Sequence, residues 1–433
     1  MKCLLNPDLI GGGKIDWGWI YIMNKYKKVV ASALAAGSLL INGFMPVLAQ
    51  TTIILSGNGT GSGNTATVAV TQSTFVTQSN NADVTNVVNA DADTGGNKAS
   101  DNTGGDVSIK TGDSDVTVDI KNTLNQNSAS VDCCGATGAD VLISGNGSDS
   151  DNTIDLSLGE EDGITVTQSN NAKVNNNVDV DSETGDNKAK DNTGGDVTIE
   201  TGDASVDVSL STTANANSAQ IGGGTGGAGL LSARILGNGT GSDNDIDLDF
   251  GGSLWIKQDN YAAVNNRVDA DAETGENKAN DNTGGEVSIE TGDADVTVGV
   301  DNSVNFNWAD ADCGCLLEDV LVKIADNGSD TQNDITAGLG QGLTVFQGNV
   351  AGSGLENFID ADADTGDNKA KDNTGDPGSD PSVETGDATT EVMLENSGNS
   401  NVYGGTPDWD FPELGFDFNF SFDLSDLLGW MGL

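Results

Sequence analysis

Four rows of acids are the residues best placed to do chemistry. They are Asp91 and Asp93; Asp179, Asp181 and Glu183; Asp269, Asp271 and Glu273; and Asp360, Asp362 and Asp364. Within each row the acids alternate with Ala, Val or Ser. On a strand this places the carboxylates on one face, roughly 6.5–7 Å apart at i, i+2. Hard oxygen ligands grouped in this way suit Ca²⁺, and a dication would relieve the repulsion between like charges. The competing reading is a solvated acidic face, partly neutralised by the repeated Lys98, Lys188, Lys278 and Lys369. Asp101, Asp191, Asp281 and Asp372 follow across a Gly turn, from which they could fold back towards the rows. The pattern is no EF-hand, because Lys371 stands where that loop, counted from Asp360, needs Glu.

Catalysis has little support. The 433 residues include no His, so there is no Ser-His or Cys-His pair and no His-rich metal site. Arg occurs only as Arg234 and Arg267. Paired carboxylates can cleave a glycoside. Here, however, the pairs recur in every module, whereas an active site occurs once. The reading is a protein without enzyme activity. With 18 Lys+Arg against 67 Asp+Glu, the net charge of -49 excludes nucleic acid and anionic membrane as partners held by charge.

Each acidic row leads into a copied block: TGGNKASDNTGG, TGDNKAKDNTGG, TGENKANDNTGG and TGDNKAKDNTGD, starting at Thr94, Thr184, Thr274 and Thr365. The steps of 90, 90 and 91 residues mark four copies of one module, at 53–141, 142–233, 234–321 and, in degenerate form, 322–405. In the second module, apolar/polar alternation runs through Thr153–Leu158, Ile164–Gln168, Val174–Val180, Val197–Glu200 and Ala204–Leu210. Such runs, bounded by Gly/Asn/Asp turns, predict half-buried strands, roughly seven per module, and an all-β chain.

Cores of Val, Ile, Leu and Ala with few aromatics suit a narrow parallel β-solenoid. Tandem β-sandwich domains are the alternative. Ala172, Ala189, Ala204 and Ala219 are 17, 15 and 15 residues apart, the size of one short coil. The TGD turns at Asp113, Asp203, Asp293 and Asp387 and the DNTGG loops read as structural, since Asp and Asn cap turns through their own backbone. Asn58, Asn146, Asn238 and Asn327 each precede Gly and then Thr or Ser. They fit a tight turn better than a glycosylation site.

The runs Gln78-Ser79-Asn80-Asn81-Ala82 and Gln168-Ser169-Asn170-Asn171-Ala172 resemble the Gln/Asn ladders of curlin-type fibre subunits. The longer unit Asn187–Ala204 resembles the Asn/Gly/Asp-rich repeats of proteins exported by uncultured candidate-phylum bacteria. These resemblances imply an exported structural or adhesive role.

The ends differ in kind from the modules. Lys25, Lys27 and Lys28, an apolar run over Val29–Ile41, and Val47-Leu48-Ala49 form a secretory signal peptide cleaved after Ala49, with Met23 as the start and a membrane anchor as the alternative. Beyond it no apolar stretch is long enough to span a membrane. In an exported chain, Cys133, Cys134, Cys313 and Cys315 are disulfide candidates, with free thiols, cross-links or a soft metal as alternatives. Residues 406–433 form a Phe/Trp-rich tail that either caps the last coil or joins another subunit's edge. The expected function is a secreted cell-surface or matrix protein for structure or adhesion, with itself, surface proteins or glycans as partners. A glycan- or protein-binding module built on Trp255, Tyr261 and Trp308 of the third repeat is the alternative.

Overall fold

The computed structural model describes residues 26–35, 41–43, 51–131, 139–222, 231–311, 320–375, 378 and 380–405. Two strands come first, β1 (Tyr26–Ala35) and β2 (Ile41–Gly43). Four rungs of five strands come after them. The first is β3 (Thr51–Ser56), β4 (Gly63–Asp93), β5 (Lys98–Ser100), β6 (Val107–Lys110) and β7 (Ser114–Val131). The second is β8 (Ala139–Ser144), β9 (Asp151–Glu183), β10 (Lys188–Lys190), β11 (Val197–Glu200) and β12 (Ala204–Ile221). The third is β13 (Leu231–Leu236), β14 (Asp243–Glu273), β15 (Lys278–Asn280), β16 (Val287–Glu290) and β17 (Ala294–Ala311). The fourth is β18 (Val320–Ala325), β19 (Gln332–Asp364), β20 (Lys369–Lys371), β21 (Ser382–Glu384) and β22 (Ala388–Tyr403).

Every sheet collects the same strand from successive rungs, as in β19-β14-β9-β4, and all pairs are parallel. The fold is an all-β parallel solenoid. One whole module makes one coil, so the short coil inferred from alanine spacing is wrong. Ala172, Ala189, Ala204 and Ala219 lie on β9, β10 and β12 of a single rung, and each stacks on an alanine of the next. The strand count also falls. Three runs read as separate strands are continuous in β9, whose 33 residues would span on the order of 100 Å if straight. The natural cuts fall in the connections before β8, β13 and β18, a few residues ahead of the cuts read from the sequence, which split those strands.

The coil is flattened around a thin core. On one side the long strand turns its alternate residues inwards. The start of β9 (Ile154, Leu156) packs on Val141 and Ile143 of β8, and Val166 packs on Ile221. Further along, Val178 and Val180 meet Val206, Val208 and Leu210 of β12. Val and Ile suit this spacing because branched side chains fill a pleated surface without needing depth.

Between these apolar segments the core is amide. Asn170 and Asn217 are buried and face each other across the coil. The Asn170 Nδ2 donates to Asn217 Oδ1 (2.9 Å) and to Asn260 Oδ1 in the next rung (3.1 Å). Asn217 Nδ2 donates to Asn260 Oδ1 (2.8 Å) and Asn307 Oδ1 (2.9 Å). Gln168 and Gln258 extend the same device, each donating to the glutamine of the preceding rung. Asn125, Asn215, Asn305 and Asn399 take positive φ (56°, 65°, 64° and 55°), a backbone state Asn tolerates, and Asn215 donates to Asn305 Oδ1 at 2.9 Å.

Replacing Asn217 with Ala should therefore orphan several buried amides, at roughly 1–3 kcal/mol for each group left unsatisfied. Denaturant melts should show a clear loss for Asn217→Ala, while exposed Gln220→Ala stays within about 0.5 kcal/mol of the parent.

Candidate functional site

The acidic rows end the long strand of each rung, so stacking turns rows into columns. Asp179 pairs with Asp269 and Asn89, Asp181 with Asp271 and Asp91, and Glu183 with Glu273 and Asp93. Asp360, Asp362 and Asp364 complete the columns in the fourth rung. The alternation holds as expected: Val180, Ser182, Ala270 and Ala272 point into the core and the acids point outwards. Three adjacent columns of carboxylate result, with neighbours in a column about 4.8 Å apart.

Crowding changes their proton affinity most in the middle of the stack. Asp271 is pushed up to about 6, first by lost hydration between the rungs and then by Asp181, Asp269 and Asp362. The same causes push Glu273 up to about 7, with Glu183, Glu276 and Asp364 as the repelling charges. Asp181 and Glu183 are also raised, again mainly by desolvation.

The lysines and the fourth acid of each block do other work. Lys188 pairs with Asp186 at 3.2 Å and Lys278 with Glu276 at 3.5 Å, inside the turn that follows the row. Asp101, Asp191, Asp281 and Asp372 do not fold back onto the rows. They take positive φ (61°, 56°, 54° and 54°) to turn the chain, and Lys190 bridges Asp191 and Asp281 at 3.4 and 3.7 Å. Glycine is required in the TG pair, because a Cβ on Gly185 would run into the carbonyl oxygen of Gly275. Among the described residues, no group of three or more acids converges as a chelating metal site needs.

The turn readings hold. Asp203 Oδ1 accepts from the Asp293 N–H at 2.9 Å, so the TGD turns cap one another between rungs. Asn146 and Asn238 are 4% and 3% exposed, and the Asn238 Oδ1 accepts from the Asn146 N–H at 3.0 Å, so these amides belong to the stack.

The three aromatics do not form one cluster. Trp255 and Tyr261 lie on the outer face of β14, six residues apart, with the Lys257–Asp259 ion pair (2.8 Å) between them. Trp308 is on β17 across the coil, and its indole N–H donates to Gly405 O at 2.8 Å. Phe346, 53% exposed and paired with Lys257, joins the Trp255 face, and exposed Phe75 stands in the Trp255 column two rungs away. Neither was picked out from the sequence, although aligning the modules at their own step places both. Tyr261 leans over Gly352 of the fourth rung, where a Cβ would strike its hydroxyl.

The four disulfide candidates lie outside the described residues, as does the tail. No helix among the described residues is long and apolar enough to cross a membrane. Compared with protein-family models, curated proteins and solved structures, the chain matches none.

The raised acids make stability depend on pH with a definite sign. A carboxyl whose folded pKa lies above its unfolded value stabilises the fold when protonated. That contribution is complete below the unfolded pKa and is lost as pH rises through the folded one. For Asp271 and Glu273 the window runs from about 4 to about 7. The melting temperature should therefore rise as pH is lowered from 8 to 5. Glu273→Gln should raise it at pH 8 and flatten the dependence; a flat profile in the parent protein would contradict the crowding.

Proposed function

We propose that this is a secreted, non-enzymatic structural or adhesive protein of a cell surface or extracellular matrix. The observation that carries the reading is the parallel stack of four rungs, cross-linked through its interior by Asn and Gln amides. Such a core favours a rigid, extended scaffold, with its chemistry repeated along the outside. The acidic columns are in keeping with this role, since they hold the surface in solution and attract cations. The leader read in residues 1–49 and the exported-repeat resemblance of Asn187–Ala204 support the location. Immunogold labelling of the producing cells tests it: label on the surface or in the matrix is expected, and cytoplasmic label would defeat the reading.

Calcium fits this picture as an ion that bridges carboxylates of adjacent rungs. A ligand that binds only the folded state raises the melting midpoint. At pH 8, millimolar Ca²⁺ should raise it more than an equal ionic strength of NaCl, and Glu273→Gln should reduce the gain. Equal effects of the two salts would leave only screening.

A second reading, glycan or protein binding through the third repeat, is favoured by the exposure of Trp255 and Tyr261 on one face at 53% and 42%. Flat aromatic faces suit sugar rings and partner side chains. On a glycan array, Trp255→Ala and Tyr261→Ala should each lower any signal the parent gives, and Trp308→Ala should not.

A further inference from the structure

The first and fourth rungs carry opposite charges at equivalent places. In the sheet of β6, β11, β16 and β21, one outward column reads Lys110, Glu200, Glu290, Glu384. In the sheet of β7, β12, β17 and β22, another reads Lys121, Ser211, Asp301, Glu395. Within the chain the first column already makes an ion pair, between Lys110 and Glu200. A third match has the opposite sign. Lys190 bridges Asp191 of its own rung and Asp281 of the next. Lys371 holds the place of Lys190 in the fourth rung and pairs with Asp372 at 3.4 Å. In the first rung the aspartate of this series is Asp101, which shares the positive φ of the others.

The interior amides give the stack a direction. Asn80 donates to Asn170, Asn170 to Asn260 and Asn260 to Asn349, each time towards the fourth rung. Asn86, Asn176, Asn266 and Asn357 form a second column of the same sense. The glutamine column runs the other way, from Gln347 through Gln258 and Gln168 to Gln78. A one-way ladder is continued only by setting a fourth rung on a first rung. Two fourth rungs face to face would set donor against donor.

The fourth rung is also an open apolar edge. Val392 and Leu394 of β22 are 47% and 51% exposed, where their partners Val298 and Val300 are 0% and 3%. Val118 and Ile120 of β7 hold the same places in the first rung. The strands β3, β4, β5 and β6 are edges of their sheets, while β1 and β2 lie on β7.

We propose that the partner of the fourth rung is the first rung of a second copy of this chain, stacked in the register that continues the columns. Glu384 then stands over Lys110, Glu395 over Lys121, and Lys371 reaches Asp101. Val392 and Leu394 are covered by Val118 and Ile120. Such a contact joins unlike ends and does not close on itself, so copies add head to tail into filaments. It needs β7 uncovered, and so rests on the reading of residues 1–49 as a leader cleaved after Ala49.

The five apolar clusters lie within residues 53–370, so a chain starting at Gln50 keeps the whole described core. Sedimentation and electron microscopy of that chain test the contact. Masses rising in single-chain steps with concentration, and unbranched filaments, are expected, while the full chain stays monomeric. Glu384→Lys/Glu395→Lys and Lys110→Glu/Lys121→Glu should each weaken association at least about tenfold. Their equimolar mixture should restore it, because each variant's ends then match the other's. Assembly that stops at dimers, variants that associate like the parent, a mixture that does not recover, or equal assembly by the full chain overturns the proposal. If the variants fail to fold, hydrogen exchange on the parent decides: 51–56 and 320–325 should gain protection together as filaments grow. Full protection of 320–325 in the monomer would assign that edge to another segment of the same chain and overturn the contact. Mass spectrometry of the exported protein, read for a start at Gln50, tests the leader separately.

Discussion

Along most of each described strand, a residue has its counterpart in the next rung as its neighbour, about 4.8 Å away. Parallel pairing imposes this along the sheets, apart from the register shifts in the long strands at Thr71/Ser73, Gly251/Leu254 and Ala262/Val264. The rest of the structure follows from which side chains tolerate their own kind at that distance. Val, Ile and Ala do, because identical apolar surfaces pack without loss. Asn and Gln do better still, because each amide offers a donor to one neighbour and an acceptor to the other. The polar core therefore costs little: amides that would be expensive to bury singly are satisfied by repetition.

Carboxylates are the side chains least able to obey that rule, which is why the acidic columns differ from the remainder of the stack. Two like charges about 4 Å apart repel by roughly 1 kcal/mol even in water-like surroundings. The columns face outwards, yet lost hydration between the rungs, and after it repulsion within the columns, holds Asp271 and Glu273 above the usual carboxylate range. The neighbouring lysines do not relieve this, since Lys188 and Lys278 are engaged in the turn. A protein that stacks such acids rung on rung carries a surface whose charge responds to protons.

The ends matter because stacking has no natural stop. An open parallel edge is a template for further pairing. The first rung has β1 and β2 on it, and both lie inside the expected leader, so cleavage after Ala49 would remove them. The fourth rung exposes apolar positions that its neighbour buries.

Much of this was legible in the residues alone. Alternation in Val178-Asp179-Val180-Asp181 named both the strand and the face its acids occupy, because a strand's side-chain period does not depend on what packs against it. The step of 90 residues announced the module, and the TGD and Asn-Gly turns announced its corners. Coil size did not follow. Ala172, Ala189, Ala204 and Ala219 repeat at a coil-like interval within one rung, and only pairing between rungs shows that the true repeat is the whole module. Nor did the fate of the charges, because Lys188 reaches Asp186 through a turn whose shape depends on the rung beneath it. Local patterns were enough to determine strands, faces and turns. Which strand lies against which, and so which acids crowd and which amides pair, is a matter of long-range register that only the tertiary structure decides.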